Sequence, residues 1–178
     1  MMEYFLLKQS EDVVNPIKIF GVDMENYTVV MTHQDFKQIK RSKVAYAEYS
    51  RSHEIPDILT YPTYMVSDTI RRVLHMYDDN ISFKSIQVFP TLEKDLMEAT
   101  RTYWVYDCVM EDCLHQDTII LPNGGMQEII LNKTKIKGRD IFRVKGTLDN
   151  KLIISLAVAE SILRRNVYGI MLEKVRIK

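Results

Sequence analysis

The sequence predicts an α+β fold, a mostly antiparallel sheet with two principal helices packed on it. Three observations carry this: strand-like segments outnumber helical ones, the two best helical stripes stand far apart in the chain, and the stretch between them is β-rich. Each helix follows a short apolar run that ends in serine, and each is followed by a strand. Two strand-Ser-helix-strand units therefore frame the chain. We read them as shared supersecondary grammar rather than proof of duplication, because the side chains outside the serine and the apolar stripe match poorly.

Taken in order, Tyr4 to Leu7 is the first short strand, followed by a polar turn through Ser10 to Asn15. Val22 to Met31 is β-branched and aromatic enough for one or two strands. Thr32 with Asp35 three residues later forms a capping-box pattern that opens a brief helix burying Phe36 and Ile39. From Arg41 to Leu59 no period stands out, and Pro56 stops any regular element at Ile55. Ser67 then offers an oxygen to the free N-H groups of a helix start, and Ile70, Val73, Leu74 and Tyr77 form one stripe at i, i+3, i+4 and i+7. Ile81 to Phe89 is a strand that Pro90 marks as an edge or an ending. Tyr103 to Met110, Thr118 to Leu121, Met126 to Leu131 and Asp140 to Val144 are further strands, with Pro122-Asn123-Gly124-Gly125 as a hairpin turn. Ser155 caps the last helix, which buries Leu156, Ala159, Ile162 and Leu163, and Ile170 to Ile177 closes the fold after Gly169. Glu160 and Arg164 add an i, i+4 pair.

A chain of 178 residues, 46% hydrophobic and 27% charged, is of single-domain size, 1–178, with a conceivable division into subregions 1–62 and 63–178. It buries enough surface to need neither disulfide nor structural metal. The start has no basic leader or long apolar core and no apolar run is long enough to span a bilayer, so we expect neither a signal peptide nor a membrane segment. Two cysteines without an export signal point to a reduced, cytoplasmic setting. With 24 basic and 24 acidic residues, the molecule lacks the overall attraction to phosphate that a nucleic-acid binder shows, and no nucleic acid is expected as partner.

Candidate chemistry is sparse. Cys108, Cys113 and His115 lie close in sequence to Asp107, Asp112 and Asp117, a set that offers zinc ligands or a Cys-His pair to a small metal-dependent or cysteine-dependent enzyme. No second cysteine pair completes a zinc knuckle, and a free cysteine usually packs as a small hydrophobe. Ser67 and Ser155 lack a nucleophile elbow, Gly124-Gly125 lacks a phosphate-loop pattern, and the four histidines lack the spacing of a helical metal site. No catalytic residue, metal or cofactor is expected. Charge is more telling: Asp107 to Asp117 holds four acids and no base, whereas Lys133 to Lys145 holds six bases against Asp140. Lys133, Lys135 and Lys137 alternate with Thr134 and Ile136, which on a strand sets a basic row on the outer face. Such a row is either a solvated, aggregation-resistant edge or a docking surface. With the acidic bend at Glu111 and Asp112, and with Tyr46 and Tyr49 as aromatic anchors, these residues are the candidate partner-binding set.

Several short segments occur in an order that resembles a family. Tyr4-Phe5-Leu6-Leu7, Ile55-Pro56-Asp57-Ile58-Leu59 followed by Met65-Val66-Ser67, Tyr103-Trp104-Val105-Tyr106-Asp107-Cys108, Ile141-Phe142-Arg143, and Ile153-Ile154-Ser155 with its helix leading to Gly169-Ile170 resemble the bacterial immunity proteins of polymorphic-toxin loci. The chain departs from that pattern at Ile58, where an aromatic is commoner, and from Thr32 to Glu54. The resemblance implies a cytosolic, non-enzymatic inhibitor that binds a cognate toxin domain stoichiometrically. It transfers no binding-residue motif.

Overall fold

The computed structural model describes residues 3–22, 31–48, 53–91, 100–122, 126–136, 138–146 and 152–178. The strand expected over Val22 to Met31, the Asn123-Gly124-Gly125 turn, Tyr49 and Lys137 lie wholly or mainly outside them. The α+β class holds, but the strands divide between two six-stranded mixed sheets and a separate hairpin. The first sheet is built from β2 (Lys18–Phe20), β3 (Ser42–Glu48), β4 (Ile58–Leu59), β5 (Met65–Ser67), β6 (Ser82–Pro90) and β7 (Arg101–Asp107), in the order β2-β3-β6-β7-β5-β4. The second contains β1 (Tyr4–Gln9), β8 (Met110–Glu111), β11 (Ile130–Leu131), β12 (Ile141–Val144), β13 (Leu152–Ser155) and β14 (Ile170–Ile177), in the order β11-β14-β1-β13-β12-β8. β9 (Ile119–Ile120) and β10 (Met126–Glu128) pair antiparallel as the hairpin. Because β1 belongs to the second sheet, the sheets do not divide at residue 62.

Helix α1 (His33–Gln38) lies against the first sheet, and α2 (Asp68–Tyr77) and α3 (Leu156–Leu163) touch each other between the two sheets. Three apolar cores result. One lies on the α1 face of the first sheet, around Ile19, Phe36, Ala45, Ala47 and Val88. The middle core draws Ile58, Val66 and Tyr106 from one sheet, Leu7, Ile141 and Ile154 from the other, and Ile70, Leu74, Val158 and Ile162 from α2 and α3. The third, around Tyr4, Cys113, Leu131, Ile136 and Phe142, lies on the far face of the second sheet.

The two sheets repeat one plan. In the first, β5, α2 and β6 form a parallel strand pair split by antiparallel β7; in the second, β13, α3 and β14 are split by β1. A hairpin partner precedes each helix, β4 beside β5 and β12 beside β13, and a parallel strand flanks the far side, β3 on β6 and β11 on β14. The correspondence reaches single bonds. Ser67 faces Tyr103 and Ser155 faces Tyr4, and the serine N-H groups donate to Asp57 O and Asp140 O, both at 2.8 Å. The Tyr103 hydroxyl donates to Pro56 O, and the Tyr4 hydroxyl to Arg139 O, each carbonyl two residues before the start of the hairpin strand. Residues 4–7, 55–59, 65–67, 103–107, 141–143 and 153–155 thus supply this framework.

The caps are unequal. Thr32 and Asp35 make the expected box, and Ser67 accepts from Ile70 N at 3.4 Å. The Ser155 hydroxyl instead donates to the Asp140 carboxylate at 2.6 Å, so α3 has no side-chain cap. Its buried stripe is Val158, Ala159 and Ile162; Leu156 and Leu163, expected inside, are exposed. β3 also escaped the sequence reading. In Ser42-Lys43-Val44-Ala45-Tyr46-Ala47-Glu48 the small alanines point inward and the large Val44 and Tyr46 outward, which inverts the usual contrast between faces.

Candidate protein-docking surface

Register places Phe20 of β2 beside Tyr46 of β3, and Tyr46 beside Phe89 of β6. Paired residues share a sheet face, so three aromatic side chains run in a row across three adjacent strands. This is the face that α2 covers farther along the sheet, where Trp104 and Phe83 lie under Arg71, whose guanidinium carbon is 4.6 Å from the Trp104 ring centroid. A ten-residue helix is about 15 Å long and covers only part of a six-stranded sheet. At the β2-β3-β6 end the face is open: Phe20, Val44 and Tyr46 are 44%, 45% and 46% exposed, and the Phe20 and Tyr46 rings stand 6.2 Å apart. Val44, Tyr46, Phe89, Pro90 and Thr91 line a hollow of about 480 Å³ there. Clustered exposed aromatics in a hollow are the usual anchors of a protein interface.

The remaining described candidates, Glu111, Asp112, Lys133 and Lys135, lie in or beside the second sheet. Lys133 and Lys135 are exposed, but they belong to a turn and not to the strand that their alternation suggested. The Asn132 carboxamide oxygen accepts from Thr134 N and Thr134 Oγ1, a local bond that competes with extended backbone. Lys135 lies 3.5 Å from Asp112, and Arg139 Nε lies 2.8 Å from Glu111. Lys135 and Arg139 thus pair with the acidic bend, whereas among the described residues Lys133 and Lys145 pair with no carboxylate. On β14 and just past its end, Lys174, Arg176 and Lys178 are likewise paired, with Glu3, Glu128 and Asp117. The β9-β10 hairpin above these pairs exposes Ile119, Ile120 and Leu121.

Cys108 and Cys113 do not come together. Cys108 lies in the middle core and Cys113 in the outer core of the second sheet, and burial pushes their thiols up to about 12 and about 11. Neither is poised as a thiolate. His115 Nδ1 accepts from Asp117 N at 3.2 Å, while its backbone N-H donates to Ile130 O at 2.8 Å. Among the described residues no cluster of three His, Cys, Asp or Glu side chains is placed to hold a metal ion.

Sequence reasoning missed a polar relay that joins the sheets. Arg143 of β12 is buried; its Nη2 donates to the Asp107 carboxylate at the end of β7, and its Nη1 donates to Met31 O at 2.9 Å. The other Asp107 oxygen bonds His33 Nδ1, in the first turn of α1. His33 is exposed beside a cleft of about 380 Å³ that Ser82, Asp107 and Met110 also line. A charged residue in the β12 run Ile141-Phe142-Arg143-Val144, buried along its whole length, was the available signal.

No family model matches the chain, and no curated protein matches it. Among the described residues no helix is long and apolar enough to cross a membrane.

Proposed function

We propose that the protein is an immunity protein, a cytosolic and non-enzymatic inhibitor that neutralises a bacterial toxin domain by stoichiometric binding. The observation that carries this reading is the open aromatic row Phe20-Tyr46-Phe89 with its hollow. A rigid sheet presenting three adjacent rings loses little entropy on association, since aromatic side chains have few rotatable bonds and the strands are already fixed. The order of framework segments that resembles immunity proteins supports the same reading.

Coexpression with the toxin-like protein encoded beside this chain tests it. Growth rescue and a copurifying one-to-one pair are expected, and Tyr46→Glu or Phe20→Glu should abolish both while the variants stay folded. A stable wild-type protein that neither rescues growth nor copurifies overturns the reading.

A further inference from the structure

The two repeated units allow the buried relay to be compared with its own counterpart. Ser67 faces Tyr103 as Ser155 faces Tyr4, so Asp107, four residues past Tyr103, corresponds to Lys8 of β1. Ile58 and Ile141 each pair with the residue before the serine, so Arg143, two residues past Ile141, corresponds to Thr60, just past β4. Lys8 reaches Glu173 of neighbouring β14, at 2.9 Å, within its own sheet. The same framework thus joins the sheets at one place without a buried ion pair and at the other with one, Arg143 on Asp107. Replacing such a pair by apolar residues of similar volume is often neutral or stabilising, so stability alone does not call for it. Functional sites are where a protein departs from the pattern that its fold asks for.

The pair borders the cleft of about 380 Å³, a size within the range of about 300–1,000 Å³ that small-molecule sites occupy. Cys108, Val109 and Met110 give it an apolar wall, and Val109 and Met110 are exposed. Asn80 and Ser82 line it too; the Asn80 carboxamide nitrogen is turned to Asp78 and Asp79, and Ser82 is the register partner of Asp107. A carboxylate only accepts hydrogen bonds, so the contact with Asp107 fixes a proton on His33 Nδ1. In the neutral ring Nε2 then presents a lone pair, on a side chain that is 64% exposed. Arg143 takes the other Asp107 oxygen, and the two charges cancel.

We propose that this cleft binds a small neutral ligand with an apolar body and a weakly acidic hydroxyl group, of the phenol class. Its O-H donates to His33 Nε2 while the ring lies against Val109 and Met110. A cation would find both Asp107 oxygens engaged, and an anion would meet a lone pair at Nε2 in place of a donor. The cleft shares no residue with the hollow beside Tyr46, so this inference and the proposed function stand or fall separately.

NMR of the full chain at pH 8, labelled with ¹⁵N-histidine and ¹³C-methyl methionine, tests it. His33 is expected as the Nδ1-H tautomer; the Nε2-H tautomer overturns the inference. Phenol should shift the His33 Nε2 and Met110 methyl resonances saturably, with a millimolar or tighter Kd. Anisole, which lacks the donor, and benzoate, which brings a charge, should each bind at least fivefold more weakly. His33→Leu, followed at the Met110 methyl, should weaken phenol at least fivefold. Met110→Trp, which fills the cleft from its exposed rim, should do the same while His33 keeps its tautomer. Tyr46→Ala should change phenol binding less than twofold. No saturable shift, equal binding of anisole or benzoate, or loss in Tyr46→Ala but in neither cleft variant overturns the inference and leaves the proposed function untouched.

Discussion

Replacing Arg143 by methionine tests whether the buried relay holds the two sheets together. The Arg143 side chain is 2% exposed and that of Asp107 9%, and they come from different sheets. Removing the guanidinium leaves the Asp107 carboxylate, among the described residues, with His33 as its side-chain partner and takes a donor from Met31 O. Breaking one side of a buried ion pair costs about 3–5 kcal/mol. For a chain of this size each kcal/mol lowers Tm by about 2–4 °C, so a fall of about 10 °C is expected. The assay is urea denaturation followed by tryptophan fluorescence, with Trp104 in β7 as reporter. Asp107→Leu/Arg143→Met should recover at least half of the single-variant loss, because an apolar pair no longer strands a charge. Full recovery is not expected, since the unpaired Met31 carbonyl keeps a cost of about 1–2 kcal/mol. A single-variant loss below about 1 kcal/mol, or a double variant equal to the sum of the two singles, would refute the reasoning.

Other expectations follow from particular contacts. Gly169 has φ +69°, and a Cβ there would meet Pro56 Cβ at 2.5 Å and Val13 Cγ2 at 2.8 Å, whereas Gly138, at φ +77°, has open space. Gly138→Ala should cost about 1 kcal/mol for conformation alone and Gly169→Ala about 2–4 kcal/mol, compared by chemical denaturation. Glu54 accepts from Asn15 N, Tyr168 Oη and Val14 N, which holds its carboxyl below the ordinary value of 4.5. Its contribution to stability is therefore present above about pH 4.5 and is lost as pH falls through the lower folded value, so Glu54→Gln should lower Tm near pH 7 and converge with wild type in acid. Native Cys108 and Cys113 should resist a thiol reagent at pH 8 and react within minutes once urea unfolds the chain. Tyr46→Ala should lower unfolding free energy by only about 1 kcal/mol, the scale of a cross-strand aromatic pair, while weakening binding of the proposed toxin partner by about 2 kcal/mol, read by titration calorimetry.

Where backbone chemistry and side-chain size agree, the elements could be read from the chain alone. The box at Thr32 and Asp35, the cap at Ser67 and the stripe Ile70, Val73, Leu74 all stand as expected. Where tertiary context rules, they could not. The outward Val44 and Tyr46 hid β3 because burial there is set by close packing around Ala45 and Ala47. The basic alternation at Lys133 and Lys135 mimicked a strand, but an Asn132 side-chain turn took the backbone. The division into two sheets depends on β1 pairing with strands more than 140 residues away, which no local pattern encodes. Of the candidate interface, Tyr46 was legible by residue type, while Phe20 and Phe89 became its neighbours only through register.

The position of β1 has a consequence for synthesis. Tyr4–Gln9 is synthesised more than 140 residues before either of its neighbours, Leu152–Ser155 and Ile170–Ile177. The first sheet can assemble while the chain is still being made; the second stays open in the middle until residue 177 has emerged. Through that interval Phe5, Leu6 and Leu7 lack their strand neighbours, and a nascent chain stalled before β13 and β14 are made presents them to chaperones and proteases.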